Sequence, residues 1–216
     1  MKIYLSWGEF MKVLLINGSP HREGCTFTAL NEIAKTLKRN GVESEIFYIG
    51  AKPVAHCVAC GKCRETGKCV FDDAVNMVGE RLSEFAGIVL GSPVYYGGPS
   101  GQICSFCDRL FYTKANKMAG KLAAAVVSCR RGGATASFDR LNKYFTITNM
   151  CVVGSQYWNM VHGFTPDDVR KDKEGLQTMR TLAKNMAWLL KCIELGKENG
   201  IHKPKYEPIT FTHFID

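Results

Sequence analysis

Residues 11–28 read MKVLLINGSPHREGCTFT, and this stretch decides the fold. Val13, Leu14, Leu15 and Ile16 form an apolar run too continuous for a strand wet on one face, so they suit the middle of a sheet covered on both sides. The run stops abruptly at the turn formers Asn17, Gly18, Ser19 and Pro20, and from Thr26 the spacing of Leu30, Ile33, Ala34 and Leu37 is helical. A buried strand, a polar loop and a helix start make a natural anion site, because unpaired amides and the helix dipole both favour negative charge there. Ser19, Thr26 and Thr28 add hydroxyls, and Arg22 adds a charge. The plainer reading is a simple strand-to-helix turn with Thr26 as N-cap. No G-x-G-x-x-G follows the strand, so a resident dinucleotide is not indicated. No G-x-x-x-x-G-K followed by Ser or Thr occurs either, which argues against a nucleotide triphosphatase.

Working outward, 216 residues with 46% hydrophobic content suffice for one sizeable core. We expect a single domain over 11–195, a short N-terminal extension over 1–10 with Met11 as a second natural start, and a C-terminal tail over 196–216. No apolar run approaches the roughly 18 residues needed to cross a bilayer. The first ten residues lack a basic region followed by a long apolar one, so a cytoplasmic protein is expected. Ten cysteines in such a chain suggest thiols, metal ligands or redox groups rather than a disulfide framework. The formal charge is +8, but the basic residues are scattered and form no stripe interleaved with aromatics. A small anionic ligand accounts for this balance without nucleic acid.

Along the chain, strands are expected at Glu43–Tyr48, Gly87–Leu90, Leu122–Ser128 and Met150–Val153. Helices are expected from the Asp72-Asp73 cap to Phe85, over Ser100–Tyr112, around Phe138, Leu141 and Phe145, and over Leu176–Leu195. The alternation requires a parallel sheet with right-handed crossovers. The expected fold is α/β: a doubly wound five-stranded sheet of order 2-1-3-4-5 in three layers. Ligands bind such sheets at the carboxyl ends of the strands, where the loops after strands one, three and four meet.

Those loops suit a mononucleotide with a flat aromatic head, and FMN is the candidate. The first has the hydroxyls and amides for a phosphate. The second, Ser92-Pro93-Val94-Tyr95-Tyr96-Gly97-Gly98-Pro99, sets two tyrosines beside glycines, and the third runs from Ser128 through Arg130 and Arg131 to Gly132 and Gly133. Taken singly, tyrosines in such a loop are more often packing than a cofactor wall. His162, Tyr157 and Trp158 could roof the site, in the same chain or a neighbouring subunit, with a packed loop as the plainer reading of each.

Gly18-Ser19-Pro20 with Cys25-Thr26, Gly91-Ser92-Pro93-Val94-Tyr95-Tyr96, Phe106 with Asp108 and Arg109, and Ser128 with Arg130-Arg131-Gly132-Gly133 together resemble one family. It is the flavodoxin-like NAD(P)H-dependent FMN reductases, in particular the branch of the iron-sulfur flavoproteins, and the resemblance runs from about Met11 to Leu195. It implies that Ser19 and the Cys25-Thr26 pair hold the phosphate, beside which the loop's own residues place Arg22. Pro93, Val94, Tyr95, Tyr96 and Gly97 would line the isoalloxazine, and Ser128, Arg130, Gly132 and Gly133 would close its other edge. Two positions depart from the family: Cys25 stands where Asn or Ser is frequent, and Cys104 where a Lys is common. The resemblance implies NAD(P)H as a transient hydride donor and flavin N5 as the reacting atom, with no side chain demanded as acid or base.

Cys57, Cys60, Cys63 and Cys69 have the form C-x2-C-x2-C-x5-C. Four soft ligands crowded in one loop suit a 4Fe-4S cluster, and the spacing matches the compact motif of the iron-sulfur flavoproteins. Zinc and free thiols remain the alternatives. The leading expectation is an FMN-dependent oxidoreductase that uses NAD(P)H to reduce a quinone, a nitro or azo compound, or free flavin. The alternative is an electron carrier working with a ferredoxin-like partner. A non-enzymatic regulator or zinc-stabilised binding module would be colourless. Apolar residues of the last helix, among them Met179, Met186, Trp188 and Leu189, suit either a homodimer or homotetramer contact or packing on their own sheet.

Overall fold

The computed structural model describes residues 11–212 and 214, so the expected extension over 1–10 lies outside the described residues. The apolar run becomes β1, Lys12–Asn17, buried at every position after Lys12. It pairs in parallel with β2, Glu43–Tyr48, on one side and β3, Gly87–Tyr95, on the other. β3 pairs in parallel with β5, Leu122–Cys129. The order 2-1-3-4-5 is thus present, but its last position is shared by two short strands. β6, Cys151–Val152, lies beside the start of β5, and β7, Met160–His162, beside its end. The expected Met150–Val153 strand covers only the first of these. Between them Ser155 Oγ pairs with Asn159 Oδ1 at 2.8 Å and turns the chain out of the sheet and back. β4, Gly98–Pro99, folds back on the end of β3, giving seven strands among the described residues.

The helices are α1 (Cys25–Arg39), α2 (Cys63–Thr66), α3 (Ala74–Arg81), α4 (Gly101–Lys114), α5 (Ala134–Ile147), α6 (Pro166–Lys171) and α7 (Lys173–Glu198). The period-2 pleat divides β1 between two cores. Leu14 and Ile16 face Val75 and Val78 of α3, Ile103 and Phe106 of α4 and Leu141 of α5. Val13 and Leu15 face Leu30 and Ile33 of α1 and Met179, Leu182 and Met186 of α7. Each such side chain, fully buried, contributes about 1.5–3 kcal/mol. Met179 and Met186 therefore pack on their own sheet, with Leu189 partly buried against it, whereas Trp188 points outward. Among the described residues no helix is long and apolar enough to cross a membrane.

One charge cluster ties the far edge together. Glu45 of β2 is held by Arg81 of α3 through two contacts of 2.8 Å and by Lys12 of β1 at 2.8 Å. The Arg81 hydrogen bond, helped by Lys12, lowers the Glu45 pKa from 4.5 to about 2. A carboxyl whose folded pKa is depressed adds stability above its unfolded pKa and loses it as pH falls toward the folded one. With solvent screening this is worth about 1 kcal/mol. The denaturation midpoint of Glu45→Gln is expected to lie below that of the unchanged chain at pH 7, and the gap to close between pH 4.5 and about 2. A gap constant with pH would refute this.

Candidate functional site

The three expected loops meet at the carboxyl ends of β1, β3 and β5, joined by specific contacts. Asn17, fully buried at the end of β1, builds the first loop: its Oδ1 accepts from Ser19 N–H at 3.1 Å and its Nδ2 donates to Arg22 O at 3.1 Å. Ser100 caps α4 and donates its Oγ–H to Gly18 O at 2.8 Å, clamping the second loop on the first. Thr26 and Ser128 share a hydroxyl hydrogen bond of 2.8 Å, joining first and third. Gly133, at φ +85°, lies so close to the second loop that a Cβ there would sit 2.7 Å from Gly97 Cα and 2.8 Å from Val94 Cγ1.

Thr26 is not the N-cap. That position is Gly24, which offers no side-chain acceptor, and Thr26 is the second residue of the helix with its hydroxyl committed to Ser128. By contrast Asp73, Ser100, Thr165 and Asp172 cap α3, α4, α6 and α7 with side-chain oxygens. The first turn of α1 carries no acidic residue, and burial raises the pKa of Cys25, keeping the thiol neutral. Burial likewise raises Cys129 at the third loop. Uncapped amides, buried hydroxyls of Ser19 and Thr26 and neutral thiols suit a phosphate dianion. The Arg22 guanidinium lies 5.3 Å over the Tyr48 ring, whose hydroxyl donates to Pro20 O. Arg130 is exposed.

The second loop is more ordered than the sequence suggests. β3 continues through Pro93 and Val94 to Tyr95 and turns on Tyr96 and Gly97, with φ +50° and +77°, a two-residue hairpin onto Gly98. A bulky residue in left-handed backbone is strained by about 1–2 kcal/mol, and Tyr96 at the tip is fully exposed. Tyr157, Trp158 and His162 are half-exposed rather than packed away. With Arg131, Gly132 and Gly133 they line a pocket of about 400 Å³ beside the third loop. The hydroxyls and amides for a phosphate, and a glycine edge beside flat side chains, fit FMN.

The cysteine loop packs against the later part of α4, at Arg109, Tyr112 and Thr113. Cys57, Cys60, Cys63 and Cys69 line one pocket with Val58, Phe71, Tyr112 and Arg109. Ala59, Gly61 and Gly67 adopt φ of +53°, +74° and +67°, bending the chain sharply between the cysteines. Lys114 Nζ donates to Gly67 O at 2.6 Å, and Arg64 Nη2 donates to the Tyr112 hydroxyl at 2.7 Å. Arg109, 1% exposed, donates from both Nη atoms to Asp73 at 2.6 and 2.9 Å and from Nε to Cys69 Sγ at 3.1 Å. Burial opposes its charge, but the bonds to Asp73 and Cys69 outweigh this and its pKa is raised. Among the described residues no three His, Cys, Asp or Glu side chains are grouped to hold one metal ion. Thiolates on separate corners of a four-iron cluster need no such convergence, and four cysteines on one largely apolar pocket fit that group.

Asn17, Ser100 and the contacts of Arg109 were not singled out as site features in the sequence. Only Ser100 had a local signal, a serine directly before a helical pattern.

Residues 11–165 match the family described as NADPH-dependent FMN reductase. An iron-sulfur flavoprotein of Methanocaldococcus jannaschii is 35% identical over 194 residues, covering 85% of this chain and 100% of that protein. One of Methanosarcina thermophila is 29% identical over 192 residues, covering 87% and 100%. The flavodoxin, WrbA-like protein of Agrobacterium tumefaciens shares the fold with a TM-score of 0.57 at 18% identity, covering 84% of this chain and 96% of that one. The chain belongs to the NADPH-dependent FMN reductase family, in the branch of the iron-sulfur flavoproteins.

Proposed function

We propose that this chain is an FMN-dependent oxidoreductase that takes hydride from NAD(P)H and reduces a small acceptor such as a quinone, a nitro or azo compound, or free flavin. The observation that carries this reading is the joining of three loops at one end of the sheet, through the Thr26–Ser128 hydrogen bond of 2.8 Å and the seat of Gly133 against Gly97. FMN, when bound, accepts a hydride and releases electrons singly or in pairs. The protein's part is to hold and shield it. The amides of α1 and the hydroxyl of Ser19 would hold the phosphate, the Tyr95–Gly98 hairpin and Gly132-Gly133 would flank the ring, and the pocket of Tyr157, Trp158 and His162 would admit donor and acceptor. Partners of this reading are the small acceptor and a second copy of the chain.

A second reading is favoured by the four cysteines on one pocket: an electron carrier with FMN and a 4Fe-4S cluster, exchanging single electrons with a ferredoxin-like protein. One experiment addresses both. Protein purified without oxygen is assayed for FMN and iron, then mixed rapidly with NADPH, NADH or reduced ferredoxin. Flavin bleaching by a nicotinamide within turnover time supports the reductase, whereas bleaching by ferredoxin alone supports the carrier. Cys63→Ser is expected to lose most of the iron and keep its FMN. A chain that stays colourless after FMN is added would refute both readings.

A further inference from the structure

The guanidinium of Arg109 has five N–H groups, and all five are engaged. Nε donates to Cys69 Sγ at 3.1 Å, Nη1 to Asp73 Oδ2 at 2.6 Å and Ala55 O at 3.2 Å, and Nη2 to Asp73 Oδ1 at 2.9 Å and Phe71 O at 3.0 Å. The Phe71 ring lies 5.0 Å from its carbon. Stapling the loop accounts for the bonds to Ala55, Phe71 and Asp73, a task that Lys114 shares by holding Gly67 O. It does not account for the bond to sulfur. Among the described residues that line the four-cysteine pocket, Arg109 is the one with a charged side chain. Its field toward Cys69 is therefore little screened, whereas the Asp73 carboxylate, 31% exposed, is partly screened by water.

We propose that Arg109 is a positioning residue that sets the electron affinity of the four-cysteine site, its Nε–H holding the Cys69 sulfur and its charge stabilising the electron that enters there. The inference rests on the reading of this loop as the seat of a four-iron cluster. Hydrogen bonds to ligand sulfurs and nearby net charge are general determinants of such potentials. Reduction adds one electron, with no bond made or broken in the protein. In the test the reductant is dithionite, each ion taking up two waters, giving one electron to each of two clusters and ending as two bisulfite ions and two protons.

The full chain, purified without oxygen and counted for iron and FMN, is titrated with dithionite in the presence of mediators and followed by electron paramagnetic resonance. Arg109→Met is expected to lower the reduced-to-oxidised ratio at fixed potential about tenfold, about 59 mV for a one-electron couple. Asp73→Asn keeps a side-chain oxygen to cap α3, removes the opposing charge, and is expected to shift the midpoint the other way. A residue that only staples the loop would change iron content or melting temperature without producing opposite shifts. Unchanged midpoints, or shifts of the same sign, in variants that retain iron and FMN would overturn the inference. If Arg109→Met does not retain iron, Asp73→Asn decides: a positive shift supports the inference, and no shift or a negative one overturns it. An unchanged chain that carries no iron removes the cluster reading and this inference together, and the iron count made beforehand tells that outcome apart.

Discussion

Gly133→Ala is expected to weaken FMN binding at least tenfold and to destabilise the apoprotein by about 2–4 kcal/mol, the sum of left-handed strain and overpacking. The backbone at φ +85° disfavours any Cβ. The added atom would also lie 2.7 Å from Gly97 Cα, where the obstacle is main chain and no rotamer change relieves it. The second and third loops must then separate, at the place where the ring edge is expected to lie. Gly132→Ala is the control. Its Cβ would meet no protein atom within 4 Å, so a change in apoprotein stability within about 0.5 kcal/mol is expected. Urea midpoints and quenching of FMN fluorescence measure the two effects. Equal behaviour of the two variants would refute the wedge argument.

Ser100→Ala is expected to cost about 2–4 kcal/mol, combining a lost N-cap with a buried carbonyl left without its donor. Ser100 is 1% exposed, accepts from Ile103 N–H and donates to Gly18 O. Loss of the second bond releases the first loop from α4, so FMN affinity is expected to fall along with stability. Thr165→Ala removes another side-chain cap, exposed at the start of α6. It should cost about 1 kcal/mol and leave FMN binding unchanged. If both variants lower stability alike and FMN binds each as before, the clamp has no functional part.

The strand, loop and helix of residues 11–28 were legible because continuous apolar burial, turn formers and helical spacing follow one another there without ambiguity. The sheet order followed from strand–helix alternation. β3 was read too short, since Pro93 and the following tyrosines resemble a loop, yet the backbone pairing of Ser92↔Val127 and Pro93↔Ser128 carries the strand past them. α6 was missed although Thr165-Pro166-Asp167-Asp168 holds a capping box with proline in the first turn, because six residues show no apolar period. The four cysteines announced themselves by spacing. The Arg109 contact did not, because Arg109 reaches Cys69 across 40 residues of chain and no local pattern encodes that contact.

The polar anchors of residues 50–73 lie on α3 and α4: Asn76 of α3 accepts from Cys69 N–H and donates to Cys69 O and Phe71 O. On α4, Gln102 holds Gly50 O, Arg109 holds Ala55 O, Phe71 O and Asp73, Tyr112 takes Arg64, and Lys114 holds Gly67 O. The same helix begins at Ser100, where it clamps the first loop. The segment is an appendix clipped to two neighbouring helices, and its cysteines make no hydrogen bond to the central strands among the described residues. The cysteine segment and the two helices that hold it are thus separate from the contacts that join the loops at the end of the sheet, Thr26 to Ser128 and Gly133 against Gly97. A substitution among its anchors can therefore disturb the cysteines without touching those contacts.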